Sequence, residues 1–347
     1  MEQSEKKPIL IIRADAGSQM GTGHVMRCLG LAQAWREKGG KAEFFCAGTP
    51  LRRLAAEGFP AKALQADPGS MEDARETAIF AKTRLASWIV LDGYHFKEDF
   101  QKFLMDAGIK TLVVDDNQDC NFYHAHIVVN PNLHAQESMF SSREIHTRLL
   151  LGPQYAFLRK EFWQASKESR DFSRNSKRVL VTLGGADPNN TTLKVIRALG
   201  LNRGLDLEIK VLIGQSNPHM QSLEEEAQHV NGLELIRDAK NMAELMAWAD
   251  LAVSAAGSTC WEMAACGLPG ILIVLAENQR NIGKTFHQAG AGINLGWHGS
   301  VTESAIWSNL KVLAESQEMQ KRMSLAASTV TDGLGAQKTA RIMMDSL

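Results

Sequence analysis

Short apolar runs of four to seven residues alternate with longer segments of helical periodicity, and this pattern most restricts the possible folds. In the first half the runs are Ile9–Ile12, Ala42–Cys46, Ala61–Leu64, Trp88–Asp92, Thr111–Asp116 and Ile127–Asn130. Between several of them lie segments such as Val25–Lys38, Met71–Leu85 and Glu98–Ala107, whose apolar residues recur at three- and four-residue spacing. Runs this short and this uniformly apolar suit strands covered on both faces. Strand–helix alternation therefore predicts a parallel sheet flanked by helices. A polar stretch, Glu161–Lys177, follows, and then the pattern restarts with Arg178–Leu183, Leu207–Ile213, Leu233–Ile236, Leu251–Ser254 and Gly270–Leu275. The expected organisation is an N-terminal domain over 1–160, a linker over 161–177, a second α/β domain over 178–325, and a final helical stretch over 326–347 that packs back on the first domain.

The chain has 347 residues and a formal net charge of −1, with no basic cluster interleaved with aromatics, so nucleic acid is not an expected partner. No apolar run approaches the roughly 20 residues that span a bilayer, and the polar start does not read as a signal peptide. The five cysteines form no CxxC pair. They read as reduced thiols, and the expectation is a cytoplasmic, monomeric protein.

In such sheets ligands gather at the carboxyl ends of strands. The first such end is Arg13-Ala-Asp15-Ala-Gly17-Ser-Gln19-Met20-Gly21-Thr-Gly23-His24-Val-Met-Arg27. Its glycines permit close approach of the backbone to a ligand, and the helix start behind them offers free N–H groups. A dinucleotide fingerprint fails, because Met26 stands where the third glycine belongs and the second strand lacks the expected acid. A Walker loop fails for want of Gly-Lys-Ser/Thr. Tyr94 follows the strand end at Asp92, either as an ordinary partly buried aromatic or as a site residue. Asp115-Asp116 is a weak metal signal; a turn-capping role, or one of orienting Arg13 or another basic side chain, fits better.

The second half carries the more specific series. A strand leads to Ala256-Gly257-Ser258-Thr259, then a helix with Glu262 one turn in, a Gly267-Leu-Pro269 break, another strand, and Asn278-Gln279. The turn N–H groups and hydroxyls suit a diphosphate, and Glu262 suits ribose hydroxyls, although it also fits a capping box.

This series resembles the nucleotide-sugar half of GT-B glycosyltransferases of the MurG type. The whole chain resembles the PseG/SpsG family of UDP-sugar hydrolases. The resemblance rests on Arg13–Asp15, Gln19–Arg27, Val114–Asp116, Leu151–Pro153, Leu158-Arg159, Leu183–Asn190, Ala256–Thr259, Glu262, Gly267–Pro269, Ala276–Gln279 and Asp332–Ala336. It implies two Rossmann-like, doubly wound parallel-sheet domains facing a cleft. It implies hydrolysis of UDP-2,4-diacetamido-2,4,6-trideoxy-β-L-altropyranose to UDP and free sugar, with no cofactor and no metal. His24 would be the base, with Tyr94 and Asn278 near the sugar. Asp15, Gln19, Met20, Gly21, Gly23, Arg27, Gly184, Gly185, Ile213, Gly257, Ser258, Thr259, Glu262 and Gln279 would contact substrate. Asp15 would also be able to hold a His24 tautomer. The competing readings are a glycosyltransferase, a UDP-sugar 2-epimerase and a binding protein. The first needs an acceptor groove, the second further acids around the sugar, and the third no catalytic histidine.

Overall fold

The computed structural model describes residues 7–16, 23–47, 51–164, 170–173, 177–237, 239 and 241–347. The protein divides into two compact units, Met1–Lys160 with Leu334–Leu347, and Glu161–Gly333.

In unit 1 the strands are β1 (Ile9–Ala14), β2 (Lys41–Cys46), β3 (Ala61–Ala63), β4 (Trp88–Asp92), β5 (Thr111–Val114), β6 (Ile127–Asn130) and β7 (Arg148–Leu151). They pair in the order β3-β2-β1-β4-β5-β6-β7, all parallel. The helices are α1 (Gly23–Glu37), α2 (Leu51–Ala56), α3 (Met71–Thr83) and α4 (Glu98–Asp106). Strand order reverses between β1 and β4, where Ala14 lies in register with Asp92. That crevice is where an open α/β sheet offers a ligand the most room. β4 is buried at every position, as its unbroken apolar run requires. One core layer unites Ile11, Ile89, Leu91 and Val113 of the strands with Phe100 and Leu104 of α4. β7 has no counterpart among the expected strands, because Arg148–Leu151 is only four residues long and half-buried at the sheet edge.

Unit 2 contains β8 (Lys177–Thr182), α5 (Thr191–Leu199), β9 (Leu207–Ile213), α6 (Met220–Ala227), β10 (Leu233–Arg237), α7 (Met242–Trp248) and β11 (Leu251–Ala255). It continues with α8 (Thr259–Ala265), β12 (Gly270–Val274), α9 (Arg280–Gln288), β13 (Ile293–Trp297), α10 (Glu303–Glu315) and α11 (Gln317–Val330). The parallel order is β10-β9-β8-β11-β12-β13, with the reversal between β8 and β11. Caps follow the sequence chemistry: Asn241 accepts from the Glu244 N–H, Thr302 from Ala305 and Ser316 from Met319.

α12 (Gly335–Met344) belongs to unit 1. The Trp88 indole N–H donates to the Met343 carbonyl at 3.2 Å. A Cβ on Gly335 would collide with the Ala156 carbonyl oxygen, so the close approach needs glycine. In the stretch between the sheets Phe162 and Trp163 are buried. Arg170 donates to the Cys266, Ala249 and Met246 carbonyls at the ends of α7 and α8.

Candidate functional site

At the strand-order reversal of unit 1, Asp92 ends β4 with no exposed surface. Its carboxylate accepts four bonds. His24 Nδ1 lies 2.6 Å from Oδ1, Arg27 Nη2 donates to Oδ1 at 2.6 Å, Arg27 Nε donates to Oδ2 at 2.6 Å, and the Cys28 thiol donates to Oδ2 at 3.2 Å. The spacing explains the convergence. His24, Arg27 and Cys28 stand at i, i+3 and i+4 on α1, so they share one face. Burial alone would raise the Asp92 carboxyl, but the Arg27 charge and the bonds from Arg27 and His24 hold it well below the usual carboxylate range.

An ionised carboxylate can only accept. His24 therefore carries its proton on Nδ1 when it makes this bond, and the Arg27 Nη2 at 3.1 Å is a neighbour of that nitrogen rather than a donor to it. In the neutral ring Nε2 then holds a lone pair. Nε2 makes no hydrogen bond among the described residues. The Tyr94 ring meets the imidazole edge to face, with centroids 4.8 Å apart at 85°. His24 lies in the first turn of α1, whose first residue, Gly23, is exposed with open space where a Cβ would be. Gln19, Met20 and Gly21 lie outside the described residues.

The sequence expectation for Arg27 and Asp15 changes. Arg27 spends three of its five N–H donors on carboxylates: besides Asp92 it donates Nη1 to Asp116 Oδ2 at 2.5 Å. It thereby orders both carboxylates. Among the described residues Asp15 is not a hydrogen-bond partner of His24. It accepts from Arg13 Nη1 and from the Ala47 N–H, both at 2.5 Å, and its Oδ2 lies 3.1 Å from His95 Nε2. Burial pushes its carboxyl up, but the neighbouring His95 and the bond and charge of Arg13 outweigh that, and it is lowered to about 2. Arg13, wholly buried, also forms a two-bond pair with Asp73. Asp115 caps a turn, accepting from the Asn117, Gln118 and Asp119 N–H groups and the Tyr123 hydroxyl. Among the described residues no three His, Cys, Asp or Glu side chains group as a metal site would need.

In unit 2 the candidate residues collect at its own reversal point. Gly184, at φ +88°, is exposed just after β8. Gly185 packs on Gly214, where a Cβ would collide with the Gly185 carbonyl oxygen. The start of α5 is already capped: Asp187 accepts from the Thr191 and Thr192 N–H groups at 2.9 and 2.8 Å. The start of α8 differs, for its cap residue Ser258 makes no side-chain cap hydrogen bond. Thr259 opens α8, and Glu262 sits one turn in, partly buried. Gln279 is drawn to the same place. Its Oε1 accepts from the Leu275 N–H at 2.9 Å, and its Nε2 would be 3.4 Å from a Cβ on Gly257. Asn278 is exposed on the turn Glu277–Gln279. Ile213 is 2% exposed and part of the hydrophobic core, so its side chain is not a ligand contact.

Sequence reasoning missed Asp92 as the partner of His24, and Asp116 as the anchor of Arg27. The available signal was an acid at the last position of a fully apolar strand, a costly place for a carboxylate without partners.

The glycosyltransferase family 28 C-terminal domain matches residues 178–338. An uncharacterized protein of Methanocaldococcus jannaschii is 27% identical over 281 residues, 78% of this chain and 56% of that protein. The spore coat polysaccharide biosynthesis protein SpsG of Bacillus subtilis is 26% identical over 201 residues, 58% of this chain and 59% of its own length. The protein thus spans less than two thirds of these two relatives. The UDP-2,4-diacetamido-2,4,6-trideoxy-β-L-altropyranose hydrolase of Campylobacter jejuni is 27% identical over 239 residues, 68% of this chain and 81% of that enzyme. Among solved structures, MurG of Acinetobacter baumannii superposes with a TM-score of 0.67 at 13% identity, covering 97% of this chain and 99% of MurG. Anabaena HepE, solved with UDP and glucose, gives 0.61 at 12% identity, covering 98% and 100%. At such identities the structures establish the fold, which is GT-B. By these relatives and its C-terminal domain match, the chain is similar to proteins of the PseG/SpsG family.

Proposed function

We propose that this protein is a UDP-sugar hydrolase that breaks the anomeric C–O bond of UDP-2,4-diacetamido-2,4,6-trideoxy-β-L-altropyranose. Water supplies the new oxygen at the anomeric carbon, and UDP leaves with the bonding pair. The observation that carries this reading is His24 held by Asp92. A neutral imidazole with its proton fixed on Nδ1 presents Nε2 as a base for that water, and Asp92 stabilises the imidazolium that forms. Tyr94 packs against the ring and limits its rotation.

In unit 2 the Gly257–Thr259 turn receives the diphosphate, Glu262 receives ribose hydroxyls, and Asn278 and Gln279 lie toward the sugar–diphosphate junction. The family 28 domain match over these residues and the uncapped start of α8 support the assignment. Backbone N–H groups then meet the charge on the leaving group, so no metal is needed. Transfer to an acceptor, as in a MurG-like glycosyltransferase, is the second reading, favoured by the fold match.

Incubation with the UDP-sugar alone separates the two. The expected result is UDP and free sugar in equal amounts without acceptor, at a rate unchanged by EDTA. His24→Ala should lose at least ~10²-fold in kcat while still binding UDP. Turnover that needs an acceptor or Mg²⁺, or that persists in a folded His24→Ala protein, overturns the reading.

A further inference from the structure

The ends of β5 and β6 in unit 1 hold buried polar atoms that make no hydrogen bond: Asp116 Oδ1, Asn130 Nδ2, Asn132 Oδ1 and His134 Nδ1. Asn130 is wholly buried and Asn132 is 2% exposed. Hydrogen bonds link three of these residues. Asn130 Oδ1 accepts from the Asn132 N–H at 2.9 Å, and Asn132 Nδ2 donates to the Asp116 carbonyl at 2.7 Å. Burial lowers the pKa of His134, and the Asp116 charge opposes that shift.

Those two bonds decide which end of each amide is left over. Asn130 must present its oxygen to a backbone N–H, so its free end is a donor. Asn132 must present its nitrogen to a backbone carbonyl, so its free end is an acceptor. Buried polar groups are costly to leave unmet, and a linked set of them calls for an occupant. The cluster is also tied to His24. Asp116 uses its other oxygen to hold Arg27, and Arg27 holds Asp92. β4, β5 and β6 are neighbours in the sheet, so two strand spacings, about 10 Å, separate the ends of β4 and β6.

We propose that Asn130, Asn132 and Asp116, with His134 beside them, form a subsite for an N-acyl amino substituent on the sugar, an assignment that rests on the UDP-sugar reading above. A secondary amide offers a carbonyl to Asn130 Nδ2 and an N–H to Asn132 Oδ1 or Asp116 Oδ1. A phosphate or carboxylate brings acceptors only and would face two acceptors unmet. A hydroxyl places its donor and acceptor on one atom and serves part of the set. An ordered water is the remaining occupant, and the experiment distinguishes it.

Asn130→Asp keeps the bond from the Asn132 N–H and reverses the polarity of the free end. With the diacetamido substrate, KM should rise at least about tenfold while the Kd for UDP stays within about twofold. An unchanged KM in the folded variant, or a parallel loss of UDP affinity, overturns the subsite and leaves water or a purely structural role. Should Asn130→Asp fail to fold, His134→Ala, only partly buried, must give the same split. If the wild type releases no UDP, the hydrolase reading fails by itself. The subsite is then judged by calorimetry with UDP-N-acetylglucosamine and UDP-glucose. A preference of about tenfold or more for the N-acetylated ligand, lost in Asn130→Asp, supports it; equal affinities overturn it.

Discussion

Asp92 concentrates the chemistry of unit 1 in one residue. It is buried, ionised and shared between His24, Arg27 and Cys28. Asp92→Asn tests its role more sharply than removal of the base. The amide nitrogen would donate to His24 Nδ1 and drive the proton to Nε2, where it blocks base catalysis. We expect kcat to fall by at least ~10², with UDP affinity within a few-fold of wild type. Near wild-type turnover in the folded variant would show that the tautomer does not matter. Arg27 teaches a related lesson. The resemblance implied a substrate contact, but three of its five N–H donors already serve two carboxylates, Asp92 and Asp116. Nothing in the local motif announces those partners, which stand 65 and 89 residues away.

At the scale of elements, each sheet places its candidate residues where strand order reverses: β1 beside β4 in unit 1, β8 beside β11 in unit 2. The strands were legible because buried parallel strands are written as unbroken apolar runs; β4 and β6 match the expected bounds residue for residue. Short edge elements such as β7 were not, since four half-buried residues carry no period to detect. Helix starts divide by what caps them. α5 is closed by Asp187, whereas α8 begins without a side-chain cap and carries Glu262 in its first turn. Under the proposed function Glu262→Ala should raise Kd for UDP and KM together by roughly 10–100-fold, the loss of bonds to a charged group. Asn278→Ala should lower kcat more than it weakens UDP. Calorimetric titration of UDP into both variants checks this. Wild-type affinity in Glu262→Ala would reduce that residue to a helix cap.

For the whole molecule, acid is the informative stress. Asp15 is lowered to about 2 in the folded state from an ordinary 3.8. A depressed carboxyl contributes stability that is complete above the unfolded value and disappears as pH falls through the folded one. The window is therefore about pH 4 down to 2, and the contribution is about 2 kcal/mol. Asp15→Asn should be less stable than wild type at pH 5–7, and the gap should narrow towards pH 2. Thermal unfolding across that range measures it; a gap independent of pH would mean that the pair with Arg13 does not set the stability of this corner. Arg13 is wholly buried and keeps its Asp73 pair in this variant, so the network is weakened rather than stripped.

The amino-acid sequence by itself determined the α/β class, the two-fold restart of the pattern and the turn residues that gather at strand ends. These are local properties: the apolar period, glycines where the backbone must bend, polar residues where helices begin. Only the tertiary structure decided which carboxylate serves which base. Asp92 rather than Asp15 meets His24 because β4 is the strand against which α1 lays the face carrying residues 24, 27 and 28. It also decided that Ile213 belongs to the core and that Asn130 and Asn132 are left with polar ends unmet. Strand order is a long-range choice, set by how sheets twist and by how crossovers pack, and no window of sequence contains it.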